Sequence, residues 1–228
     1  MGTQVTRHGG TRSAYRTLSP MGKRHLTPLL FRAVLLCLLA TGQAMAHHQP
    51  PGMEEVDEFA GETFTAALAH PFSGTDHWLA ALAVGLIVWA WGRKTGIQAG
   101  TFFILAMGAG IVAGRSGWQV PLMESGLAVS VILAGCVVAG GRWVSRRAAL
   151  SVAAATGMWH GLAHGMEMPS AAPTNAYALG LVLASGGIVL LAGGLAARLP
   201  VHRPELPRWA GGGLAAAGAW LLAAALAS

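Results

Sequence analysis

Two short strings, His70-Pro-Phe-Ser-Gly-Thr-Asp76-His77 and His160-Gly-Leu-Ala-His164-Gly-Met-Glu167, set imidazoles and carboxylates inside stretches otherwise apolar enough to lie in a bilayer. An ionised side chain at the membrane centre costs roughly 2.5 to 3.5 kcal/mol on insertion scales, so such groups usually mark a substrate or ion pathway. The donors present suit a divalent transition metal. Neutral imidazole and carboxylate fit nickel, cobalt, zinc and copper(II), whereas calcium and magnesium prefer oxygen donors almost exclusively.

In the second string, His160, His164 and Glu167 stand at i, i+4 and i+7, which confines them to one stripe of a helix. The bland alternative is a set of polar groups bonding across helices, or Glu167 resting at an interface. In the first string, Pro71 removes a backbone donor and Gly74 loosens the chain, so a helix arriving at residue 70 cannot run on unbroken. Breaks at membrane depth are tolerated where they line a cavity, and transporters use them to bind ions. Asp76 then falls just inside a new helix start, where the positive end of the dipole favours a carboxylate. It can bind an ion itself or orient His77 from behind.

The elements that must position these residues are transmembrane. Of the 228 residues, 54% are hydrophobic and 11% charged, with 32 glycines and a mean hydropathy of +0.52, an all-α polytopic membrane composition. The formal charge of +6 does not mark a nucleic-acid binder. Arg7, Arg12, Arg16, Lys23, Arg24 and Arg32 occupy residues 1–46 without any acid, and the rest of the chain is balanced.

Residues 1–46 read as a cleavable signal peptide: basic residues, an apolar run from Phe31 to Ala40 too short to span, then Ala44-Met-Ala46 as the cleavage site. Both Met1 and Met21 fit as the start. Cleavage would leave His47-His48 at the new terminus, followed by an acidic leader to residue 62 and a permease domain over 63–228. Cys37 leaves with the signal and Cys136 remains alone, so no disulfide or thiolate cluster is expected.

Six later apolar segments, near 75–92, 96–114, 120–141, 147–168, 174–198 and 207–227, approach the roughly 20 residues of a spanning helix. The basic residues set their direction. With the N-terminus outside, Arg93, Lys94, Arg142, Arg146, Arg147, Arg198, Arg203 and Arg208 are cytoplasmic and only Arg115 is external, in line with the positive-inside rule. Both termini are then periplasmic, in a bacterial inner membrane. Glu54, Glu55, Asp57, Glu58 and Glu62 precede the first span, and Glu124 and Glu167 lie near outer ends; such a mouth concentrates cations. Both strings fall in the outer leaflet, so up to six donors can surround one site. Gly110-x-x-x-Gly114 and the pairs Gly186-Gly187 and Gly193-Gly194 read as packing residues without chemistry.

His70-Pro-x-x-Gly74-x-Asp76-His77, continuing Trp-Leu-Ala-Ala-Leu-Ala-Val-Gly85, together with His160-Gly-x-Ala-His164-Gly-x-Glu167-x-Pro169, resembles the HupE/UreJ family of hydrogenase and urease accessory proteins. The resemblance covers nearly the whole chain after the signal. It implies a permease for nickel, with cobalt as the alternative ion, that feeds nickel-enzyme maturation proteins. The family's functional residues fall on His70, Asp76, His77, His160, His164 and Glu167. Ala81 departs from the family, whose members often carry Met there.

Secondary donors are His47 and His48, which with a free amine would form an external capture site, and Glu124. Met107, Met123, Met158, Met166 and Met168 read as packing, and His202 as a solvated loop residue. The leading reading is therefore passive or gradient-driven import of a divalent metal as cargo, with no permanently bound cofactor; no Walker-type ATP site is visible. The alternative is a membrane-embedded zinc metallohydrolase, since H-x-x-x-H with a third His and an Asp can hold zinc with one position open. Paired helix histidines also raise haem binding, which is not expected.

Overall fold

The computed structural model describes residues 60–170, 172–198 and 205–227. The signal peptide, His47, His48, the acids from Glu54 to Glu58 and His202 lie outside the described residues, and side chains are described from Thr63 onward.

Every regular element among the described residues is helical: α1 (Ala60–Ala69), α2 (Thr75–Trp91), α3 (Arg93–Arg115), α4 (Met123–Gly140), α5 (Arg146–Glu167), α6 (Thr174–Arg198) and α7 (Glu205–Ala227). Short 3-10 turns at His70–Phe72 and Gly141–Trp143 follow α1 and α4. All six apolar segments read from the sequence are thus helices. Four helices are long and apolar enough to cross a membrane: α3, α4 with its following turn, α6 and α7. The α1 segment and α2 meet that measure only as a pair, bent by 76°. Helix α5 is not among them although it has 22 residues, because His160, His164, Glu167 and its glycines dilute its apolar content.

The break between α1 and α2 has local causes. Pro71 sits in the first positions of the 3-10 turn, where its missing N–H costs nothing. The carbonyl of His70 accepts from both Ser73 N (2.9 Å) and Ser73 Oγ (2.7 Å), which closes the turn and fixes His70. At the other end of α2 a single residue, Gly92, joins it to α3 at φ +80°, a left-handed geometry that favours glycine.

Helix α2 is the hub. Its Ala81, Val84 and Ile87 pack with Phe103, Met107 and Ile111 of α3, Ala149 and Ala153 of α5, and Leu181 and Val189 of α6. Its opposite side, Leu79, Ala80 and Ala83, packs with Val131 and Ala134 of α4 and Leu214 and Ala217 of α7. Large apolar side chains such as Leu105 and Leu190 point outward, as they do toward lipid.

The tightest contact joins α3 to α5. A Cβ on Gly157, Gly161 or Gly165 would stand 2.1, 2.1 and 2.2 Å from the carbonyl oxygens of Phe103, Met107 and Ile111. From the other side, a Cβ on Gly110 or Gly114 would meet the carbonyls of Met158 and Leu162 at 2.4 Å. Numbering rises together on both helices, so they run parallel, as two helices separated by one returning helix must. Close backbone approach of this kind supplies helix association where lipid offers no hydrophobic driving force.

This contact generates a paired test. At Gly194 nothing lies within 4 Å of an added Cβ, so Gly194→Ala should leave stability unchanged or raise it through helix propensity. Gly161→Ala should lower stability by about 1–3 kcal/mol through overpacking, read as a reduced thermal midpoint of the purified protein. Equal midpoints would show that the two backbones are not in contact.

Candidate metal centre

Helix α5 is locked in register before its histidines are considered. Ser145 Oγ accepts from Ala148 N at 3.1 Å to cap its start. Arg146 donates to Thr95 Oγ1 (3.3 Å) and to Gln98 of α3. At the far end, Arg115 of α3 donates to the Ser170 carbonyl at 2.6 Å. Trp159 donates from Nε1 to the Met123 carbonyl at 3.1 Å, and its indole fills the space that a Cβ on Gly126 would occupy. With the glycine stripe against α3, these contacts set the direction of the face bearing His160 and His164.

That face meets the start of α2. Asp76 lies in the first turn of α2, where the helix dipole favours its charge. Its Oδ2 is 2.9 Å from His77 Nδ1 and 4.0 Å from His160 Nε2. The ring centroids of His77 and His164 are 4.3 Å apart, those of His70 and His164 5.0 Å, and those of His77 and His160 5.4 Å. Gly74 keeps this corner open, since a Cβ there would come within 3.1 Å of both Asp76 Oδ1 and the His77 ring.

Two sets of ligand atoms come within 4.8 Å of one another: His70, His77 and His164, and Asp76, His77 and His160. They share His77. His77, His160 and His164 are buried, while His70 and Asp76 are partly covered. The His160 Nδ1 lies 2.9 Å from the Thr156 carbonyl; a carbonyl only accepts, so Nδ1 carries the proton and Nε2 presents its lone pair toward Asp76. His160 Nε2, His164 Nδ1 and Thr156 Oγ1 are buried without a hydrogen-bond partner among the described residues. Each such atom costs about 1–3 kcal/mol, a cost that an ion accepting the lone pairs of the two imidazoles would relieve.

The other candidates are placed elsewhere. Glu167, at the end of α5, is partly covered and belongs to neither set, and Glu124 is exposed in the first turn of α4. Ala81 is buried in the apolar core, as are Met107 and Met168. Cys136 is exposed on α4. The partner of His160 Nδ1 is the main-chain carbonyl at Thr156, which any residue one turn before His160 would supply, so the residue type there gave no signal. Nor did sequence reading connect Gly157, Gly161 and Gly165, spaced by four like Gly110 and Gly114, to the placing of the histidines.

The family described as HupE / UreJ protein matches residues 35–221. "Protein HupE" of Rhizobium leguminosarum bv. viciae is 35% identical over 158 residues, which span 69% of this chain and 83% of that protein. No solved structure matches. The chain belongs to the HupE/UreJ family, and its apolar helices make it a transmembrane member.

Asp76 is the one carboxylate within the paired sets, so Asp76→Asn should weaken cobalt(II) binding to the purified protein by at least about tenfold, measured by calorimetric titration. Unchanged affinity would mean that Asp76 neither binds an ion nor orients His77.

Proposed function

We propose that this member of the HupE/UreJ family is a permease that imports a divalent transition metal, nickel with cobalt as a second ion, for nickel-enzyme maturation. The observation that carries the reading is the convergence of three buried imidazoles and a carboxylate, from two strings more than eighty positions apart, within an apolar helix bundle. Family membership supports the cargo and the accessory role. Six spans after a cleaved signal peptide, with α1 and α2 forming one broken span and both termini periplasmic, give the orientation favoured by the basic residues. The parallel run of α3 and α5 agrees with that alternation.

In this orientation the histidines face the outer leaflet. His164 is one helical turn nearer the outer end of α5 than His160, about 6 Å along the axis. The ion enters at His70, His77 and His164, and passes to Asp76, His77 and His160 while staying beside the His77 ring. A shared ring and the neighbouring donors keep the transfer short, so the dication does not cross the apolar core to change position. Binding stays weak enough for release because each position offers three protein donors rather than six. One carboxylate among neutral imidazoles leaves the filled pocket with a single positive charge, which favours onward movement over tight retention.

The zinc metallohydrolase reading finds no support. No carboxylate or imidazole in the two sets stands apart from the donors as a general base, and the family is one of transport and accessory proteins.

Reconstitution into liposomes tests the reading. Nickel and cobalt uptake should exceed that of empty vesicles, and His77→Ala and His164→Ala should each reduce it by at least about tenfold, the scale of a lost metal-site contact. Uptake equal to wild type in both variants would remove the site. Uptake should also fall as the external pH is lowered from about 7.5 to 5.5, because a protonated imidazole has no lone pair for the ion. Influx independent of pH over that range would exclude imidazole binding from the controlling step.

A further inference from the structure

At the end of the bundle opposite the histidines, a cavity of about 610 Å³ opens between the last turns of α2, α4 and α6 and the starts of α3 and α7. Three arginines line it from three separate elements: Arg93 opens α3, Arg142 lies in the turn after α4, and Arg208 sits in the first turns of α7. Trp89 and Trp143 stand beside them, and Val138 with its alanine neighbours forms an apolar wall reaching between the helices. No acidic residue is among the described lining.

The state of these arginines differs from that of Arg146 and Arg115. Arg146 is bonded to Thr95 and Gln98, and Arg115 to the Ser170 carbonyl. Arg93, Arg142 and Arg208 make no hydrogen bond or ion pair among the described residues. All three are exposed side chains of like charge lining one cavity, an arrangement that attracts an anion. Guanidinium geometry matches phosphate oxygens in paired hydrogen bonds.

From this we infer that the cavity is a binding site for an anionic phospholipid, its phosphate held by Arg93, Arg142 and Arg208 and one acyl chain lying along the apolar wall. The cavity combines a polar mouth with an apolar floor, which a free phosphate would leave unused and a flat protein partner would not enter. Basic pockets between transmembrane helices on the cytoplasmic side hold anionic headgroups by this combination. Tryptophans at the same level are the usual markers of the headgroup region. The site touches the end of α2 whose other end bears Asp76 and His77, so its occupant braces the central helix from below. The inference stands apart from the metal reading, because none of its residues belongs to the histidine pocket.

Native mass spectrometry of the full-length purified protein tests it with phosphatidylglycerol and phosphatidylcholine of identical acyl chains. The wild type should retain phosphatidylglycerol about tenfold more than phosphatidylcholine. The combined variant Arg93→Gln, Arg142→Gln, Arg208→Gln should lose that preference to within about twofold. Arg147→Gln, an exposed arginine outside the cavity, should keep it. Substituting the same three positions with Lys should retain a reduced preference, and covers the case in which the Gln variant does not fold. Equal retention of both lipids by the wild type would overturn the proposal, as would a preference that survives the triple Gln substitution. Displacement of the lipid by millimolar inorganic phosphate would instead identify a free-anion site.

Discussion

Helix α5 rests on α3 closer than any side chain would permit, and the histidine pocket depends on that contact. Gly157, Gly161 and Gly165 face the carbonyls of Phe103, Met107 and Ile111, one helix turn apart each time. His160 and His164 immediately precede two of these glycines. With the glycines against α3, the imidazoles sit about 100° around the helix and face the start of α2. A larger residue at Gly161 would move α5 away from α3 and change the spacing of both imidazoles from Asp76 and His77. Packing and the placing of the imidazoles are therefore set by the same stretch, Gly157 to Gly165.

Much of this was legible in the sequence, for identifiable reasons. The six apolar segments became helices because long runs of Ala, Leu, Val and Gly between charged punctuation leave little else in a bilayer. Pro71 and Gly74 announced the interruption where α1 and α2 now meet at 76°. The i, i+4 spacing of His160 and His164 placed them on one face without reference to anything distant. Spacing could not reveal partners. That His70 approaches His164 while Asp76 approaches His160 depends on the angle between α1 and α2, which no periodicity encodes. Glu167 followed the stripe on paper, yet the α5 helix ends at that residue, and its carboxylate joins neither set. The segment over 147–168 was read as apolar, yet His160 and His164 lower the hydropathy of α5 below the measure that α3, α4, α6 and α7 meet.

The two triads with one common imidazole give the pocket its character. A single site with six donors would hold a dication firmly, which suits storage or structure. Two overlapping three-donor positions, with His77 in both, are what the proposed permease needs if it is to hold the ion loosely in either. Burial strengthens each contact by excluding water, while the undersized donor set limits the total. At the opposite end of α2 the three arginines around an apolar cavity give the same helix a second anchor, of opposite charge preference. The central helix thus runs from the histidine cluster to the arginine-lined cavity, with a side-chain core of mainly small apolar residues between them.

In the proposed reading one ion moves between two positions that share the His77 ring. The most direct measurement is the cobalt(II) stoichiometry of the purified protein by equilibrium dialysis, with the visible absorption of the bound ion recorded alongside. The account predicts one ion per chain, lost in His77→Ala, with altered but persisting spectra in His160→Ala and His164→Ala. Two ions per chain, or one ion bound as well by His77→Ala as by the wild type, would contradict it.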